Sequence, residues 1–181
     1  MPSDALLVCR SPGGGRRAAG ASPPASPAAL VGGRCPASRG RQFETSEFGG
    51  LTLGGPPVQP DLGILPRDVR RARQGIVVFR DAPSDGWHGV KTLWFATPHY
   101  RGPLLIRGRQ LGGSGSVAFG QGGAAVRDPQ IPPGRTRNGV RYRQWPGGTW
   151  IRSSGCYAWQ VDGVGFSHVI VFKAVIASRR R

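Results

Sequence analysis

Histidine, cysteine, serine and paired carboxylates are the side chains that carry acid–base, nucleophilic or metal chemistry, and this chain has few of them. His88, His99 and His168 are the only three histidines. Metal ligation would need them to converge with a carboxylate. His88 and His99 fall at opposite ends of one predicted strand, too far apart to share an ion, and His168 on a strand reads as a packed or hydrogen-bonded residue. Glycosidase-type chemistry needs two carboxylates, yet residues 87–176 hold only Asp128 and Asp162, and Asp162 is assigned to turn chemistry. Ser153 and Ser154 lack the strand–turn–helix setting of a nucleophile elbow. Cys9, Cys35 and Cys156 have no metal-like spacing, and an odd count gives no disulfide framework. Cys156 is read as a partly packed thiol with no base beside it. The glycine-rich stretch Leu111–Gly115 lacks both the Lys-Ser/Thr and the following helix of a phosphate-binding loop. No catalytic residue, metal or cofactor is assigned, and the protein is not expected to be an enzyme.

Binding is the remaining class of function. Of the 25 basic residues all but Lys91 and Lys173 are arginine, and the formal net charge is +16. Such a balance favours anionic partners: nucleic acid, anionic lipid or an acidic wall polymer. Arg107, Arg109, Arg141 and Arg143, with Arg101 nearby and with Trp145 and Trp150, are the candidate binding residues. Guanidiniums pair with phosphate or carboxylate, and indole rings stack on bases or sugars. A second reading stays open, in which a G+C-rich genome supplies the arginines, the tryptophans are core and the charge simply faces water.

The elements that would position these residues are strands. The run from Gly155 to Lys173 is the organising stretch. Tyr157, Trp159 and Val161 alternate with Cys156, Ala158 and Gln160, the period of two that a half-buried strand needs. Phe166, His168, Ile170 and Phe172 form one face of a second arm, and Asp162-Gly163 between the arms predicts a hairpin turn. Gly155-x-Tyr157-x-Trp159 has the pattern of a strand carrying a tyrosine corner. Upstream, Ile76–Phe79, Val90–Thr97, Leu104–Ile106, Val117–Phe119 and Val140–Gln144 read as further short strands. Trp145-Pro146-Gly147-Gly148 reads as a turn, and 120–139 as a long loop. Pro66 predicts the first turn of a short helix over 67–73. Turn signals about every ten residues, with almost no helical periodicity, predict an all-β fold. The expected architecture is an immunoglobulin-like antiparallel β-sandwich of about six to eight strands with a disordered N-terminal tail.

The chain divides accordingly into a basic, low-complexity tail or linker (1–73), a sandwich domain (74–176) and a basic C-terminal tail (177–181). Residues 1–41 are mostly Ala, Pro, Gly, Ser and Arg, with too few apolar anchors to offset chain entropy. They read as a loose anion-binding arm or as sequence upstream of the true start. The first ten residues have no basic n-region for a signal peptide, and no stretch approaches the ~20 apolar residues of a membrane span.

Arg101–Gly108 and the run Gly155-Cys156-Tyr157-Ala158-Trp159-Gln160-Val161-Asp162-Gly163, followed by Phe166-Ser167-x-Val169-Ile170-Val171-Phe172, resemble a group of bacterial β-sandwich proteins of unassigned activity, mostly exported or lipid-anchored. The resemblance covers roughly residues 87–175. It implies a cell-envelope or extracytoplasmic setting and no known reaction. The expected function is a non-catalytic envelope or extracytoplasmic module with a binding or structural role, its partner open between an anionic polymer and an envelope component; a nucleic-acid or acidic-polymer binder using the Arg/Trp surface is the first alternative, and a hydrolase using His168 or Cys156 the second.

Overall fold

The architecture is that of an all-β sandwich, seen in a computed structural model that describes residues 33–45, 47, 49–81, 86–120, 126–136 and 140–177. The expectations for residues 1–32 and 178–181 lie outside these. In chain order the strands are β1 (Arg41–Glu44), β2 (Gly49–Thr52), β3 (Val58–Leu62), β4 (Ile76–Asp81), β5 (His88–Ala96), β6 (Leu104–Leu111), β7 (Val117–Gly120), β8 (Gln130–Ile131), β9 (Arg143–Ile151), β10 (Gly155–Gly163) and β11 (Phe166–Ile176). Between β3 and β4, Pro66 opens a 3-10 turn that runs into α1 (Val69–Arg73).

One sheet runs β1-β2-β3-β5-β9-β7 and the other β4-β11-β10-β6-β8. β4 joins them. Its end pairs with β5 through Arg80 and Asp81, while Ile76–Phe79 pair in parallel with Lys173–Ile176 of β11. All other pairings are antiparallel.

The core lies between the sheets. Tyr157, Trp159 and Val161 of β10 and Phe172 of β11 are fully buried, and meet Trp94 and Ile151 of the opposite sheet. Trp94 meets Trp159 edge-on at 5.6 Å, and Trp159 lies 4.0 Å from Phe172. Burying an apolar side chain of this size contributes about 1.5–3 kcal/mol, so this aromatic cluster holds the two sheets together. The tyrosine corner is present: Tyr157 donates its hydroxyl to the Ser153 carbonyl at 2.8 Å.

Several expectations are corrected. The hairpin turn is Val164-Gly165, not Asp162-Gly163, since Gly163 pairs with Phe166 and Asp162 with Ser167. Gly165 takes the positive φ (+82°) that the tight connection requires. The displacement is two residues, so every side chain keeps its predicted face; a slip of one would have inverted them all. Trp145-Pro146-Gly147-Gly148 is not a turn but the middle of β9, paired with β5 from Leu93↔Pro146 to Lys91↔Gly148. Pro146 is tolerated because β7 covers β9 only from Gly148 onwards.

The largest correction concerns residues 33–73, expected to be tail and linker. They supply β1, β2, β3 and α1, and bury Leu51, Leu53, Val58 and Leu62. This is why the strand count is eleven among the described residues rather than six to eight. Glycines and prolines punctuate the segment and hide its alternation, but its apolar residues complete the first sheet.

The cysteine reading is also corrected. Cys156 is not a thiol: it is joined to Cys35, 121 residues away, across a Cα–Cα distance of 5.4 Å. Residues 33–40 form a strap that brings Cys35 there. Ser38 donates its N–H to the Val171 carbonyl and accepts the Val171 N–H on its hydroxyl, and Gly40 donates to the Arg73 carbonyl. Gly75, at φ +75°, has to lack a side chain because a Cβ there would lie 2.4 Å from the Ser38 carbonyl oxygen.

Candidate functional site

The predicted binding residues divide between the two sheets. Arg107 and Arg109 alternate with the core positions Leu104 and Ile106, so they stand on the outer face of the second sheet, opposite Gln160 and Ala158. Arg107 is taken by an ion pair with Asp162 at 2.6 Å. Burial alone would raise the Asp162 pKa, but hydrogen bonds from Ser167, Arg107 and Gln160 and the Arg107 charge hold it below the ordinary 3.8. Arg109 is exposed. Trp150 lies on the outer face of the first sheet, between Gly89 of β5 and Ala118 of β7.

Arg143 and Trp145 do come together, at the start of β9, where the Arg143 guanidinium stacks 4.7 Å above the Trp145 ring. Arg143 is only 6% exposed. It donates to the carbonyls of Gly102 at 2.9 Å, Pro132 at 2.8 Å and Tyr100 at 3.4 Å, which ties the loop after β5 to the loop after β8. Burial draws its pKa below the ordinary arginine range. Its donors are therefore largely committed to the protein itself. Arg141 is exposed, and its N–H is held by Glu47, which also accepts from Tyr142 N and Gln144 Nε2 at 3.2 Å each.

Around this pair is an open cleft of about 610 Å³, lined by Pro132, Arg135, Tyr142, Arg143, Gln144 and Trp145 among others. Its lining offers aromatic edges, an amide and two guanidiniums, and holds no carboxylate or histidine. Such a surface suits the binding of a polar or anionic group.

A second cavity, of about 590 Å³, opens between β2, β3, β5 and α1, lined by Asp61, Lys91, Leu51, Leu62, Pro66 and Leu93 among others. Burial raises the Asp61 pKa to about 6, against the opposing charge of Lys91. Sequence reasoning missed Asp61 because it lay in the presumed linker. The signal was present: Val58, Pro60 and Leu62 alternate with Gln59 and Asp61, the strand pattern that puts the carboxylate on one face.

His88 starts β5 and His99 follows its end, as expected; His168 is half-buried with its ring 5.0 Å from Phe166. Among the described residues no three His, Cys, Asp or Glu side chains cluster as a metal site would need, and no helix is long and apolar enough to cross a membrane.

No protein-family model matches the chain, and no curated protein matches it. Among solved structures, it is similar to a family 123 glycoside hydrolase from Clostridium perfringens, studied for glycolipid glycan hydrolysis, at a TM-score of 0.30 and 10% identity. The overlap covers 66% of this chain and spans only 26% of the hydrolase. A likeness of that size carries no argument about activity.

Proposed function

We propose that this protein is a non-catalytic β-sandwich module that works outside the cytoplasm, in the cell envelope, where it binds an anionic polymer. The observation that carries this reading is the Cys35–Cys156 disulfide. Structural disulfides persist in oxidising compartments and are rare in the cytosol. Charge supports the choice of ligand. Arg34, Arg39, Arg41, Arg67, Arg70, Arg73, Arg101, Arg109, Arg127, Arg135 and Arg141 are all exposed, and none makes an ion pair among the described residues.

The test is retention of the purified, oxidised protein on an immobilised polyanion over a range of salt. A surface that neutralises about six phosphates loses roughly a thousandfold in affinity between about 50 and 200 mM salt. A fall of that order is expected. Absence of binding at about 50 mM salt, or binding indifferent to salt, would remove the proposal.

A further inference from the structure

Resting on that reading, we propose that the polyanion docks on the outer face of the second sheet where the 33–40 strap crosses it, and that the ligand is a linear polymer of phosphate groups without bases. The arrangement comes from register. Lys173 pairs with Cys156 from one side and Arg109 pairs with Ala158 from the other, so both stand on the outward face, separated by two strand spacings and a two-residue rise. That places their Cα atoms roughly 12 Å apart. Between them Cys35 is bonded to Cys156 and packs with Leu111, Ala158 and Val171, so the exposed Arg34 next to it stands over β10. Arg39, also exposed, follows Ser38 at the edge of β11. Three cations therefore stand across the face, Arg109, Arg34 and Lys173, and Arg39 adds a fourth at its edge beside β11. The strap's residues 33–40 carry no acid. Asp162, the carboxylate on the outward positions of β10, is already neutralised by Arg107.

What this face lacks identifies the ligand further. Its outward positions on β6 (Leu105 to Leu111), β10 (Cys156 to Asp162) and β11 (Ser167 to Val175) carry no aromatic ring. Proteins that hold single-stranded nucleic acid use rings on which bases stack, each worth about 1–3 kcal/mol. A row of cations without rings recognises charge alone. The disulfide adds rigidity, since it fixes Arg34 over the sheet and lowers the ordering cost of binding.

The experiment is fluorescence anisotropy of labelled long-chain inorganic polyphosphate with the oxidised full chain, against a labelled oligothymidylate. The variants are the double reversal Arg109→Glu/Lys173→Glu, the neutral double Arg109→Gln/Lys173→Gln, and, as a control by the cleft at the start of β9, Arg135→Glu/Arg141→Glu. Melting curves of each establish that they fold; should the reversal fail to, the neutral double decides. The expected result is a loss of at least about tenfold for the reversal, a smaller loss with a salt slope shallower by about two for the neutral pair, and a change within about twofold for the control. Oligothymidylate is expected to bind more weakly than polyphosphate. If the wild type binds polyphosphate and the reversal weakens binding no more than the control does, this surface is wrong while the anionic function stands. If oligothymidylate binds as tightly or more tightly, the base-free ligand is wrong. If the wild type binds neither polymer at low salt, the function proposed above fails and this inference with it.

Discussion

Arg143 and Asp61 are both drawn out of water, and the protein meets the cost of each differently. Arg143 is compensated by three backbone carbonyls and an indole face, an arrangement that a planar five-donor guanidinium fills and an ammonium does not. Asp61 has only the distributed charge of Lys91 to oppose its burial, so it holds its proton to a pH of about 6 rather than 3.8. A carboxyl that binds its proton more tightly when folded stabilises the fold fully below its unfolded pKa and loses that contribution as pH rises through the folded value. The Asp61→Asn variant removes the ionisation. Its melting temperature is therefore expected to exceed that of the wild type at pH 7.5 and to approach it at pH 4. Melting curves at the two pH values check this, and an equal difference at both would refute it.

Two elements decide how the second sheet is finished. The β10–β11 hairpin has a short local connection and was legible from alternation. The sequence places its turn two residues early because Asp-Gly is a stronger turn signal than Val-Gly, whereas Asp162 is retained in the strand by Arg107, Gln160 and Ser167. The strap is the opposite case. Ser38 and Gly40 pair with residues far away in sequence, and Cys35 is bonded to Cys156 and packs with Leu111, Ala158 and Val171. Closing so long a loop removes chain entropy from the unfolded state, and loss of a native disulfide costs about 2–5 kcal/mol. Cys35→Ser is expected to lower the melting temperature by several degrees, and reductant is expected to bring the wild type down to the same level. Thermal denaturation with and without reductant measures both; a variant as stable as the oxidised wild type would show that the bridge adds nothing.

At the scale of the whole molecule the fold is two sheets joined through β4, and the first of them depends on residues 41–62. β3 lies along β5 from Val58↔Ala96 to Leu62↔Thr92. Without it the edge of β5 is open and the core faces of Leu53, Val58 and Leu62 are missing. A chain begun at residue 74 also lacks Cys35. It is therefore expected not to fold, whereas a chain begun at residue 33 retains every packed element described. Far-UV circular dichroism and solubility of the two truncations decide it, and a folded protein from residue 74 would overturn this division of the core.

The sequence by itself determined the class of fold, the strands β4 to β7, β10 and β11, their inward and outward faces, the tyrosine corner and the short helix after Pro66. Each of these rests on a period of two, a fixed φ or a turn residue, and such signals act over a few neighbouring positions. Only the tertiary structure decided that residues 33–62 belong to the sandwich, that β9 runs straight through Pro146, that Cys35 meets Cys156, and that Asp61 is buried near Lys91. It also decided which of the six Arg and Trp candidates meet: Arg143 with Trp145 in one cleft, and Arg109 beside the strap on another face. These facts depend on pairing between distant segments, whose register is set by packing across the whole core and leaves no local pattern to read.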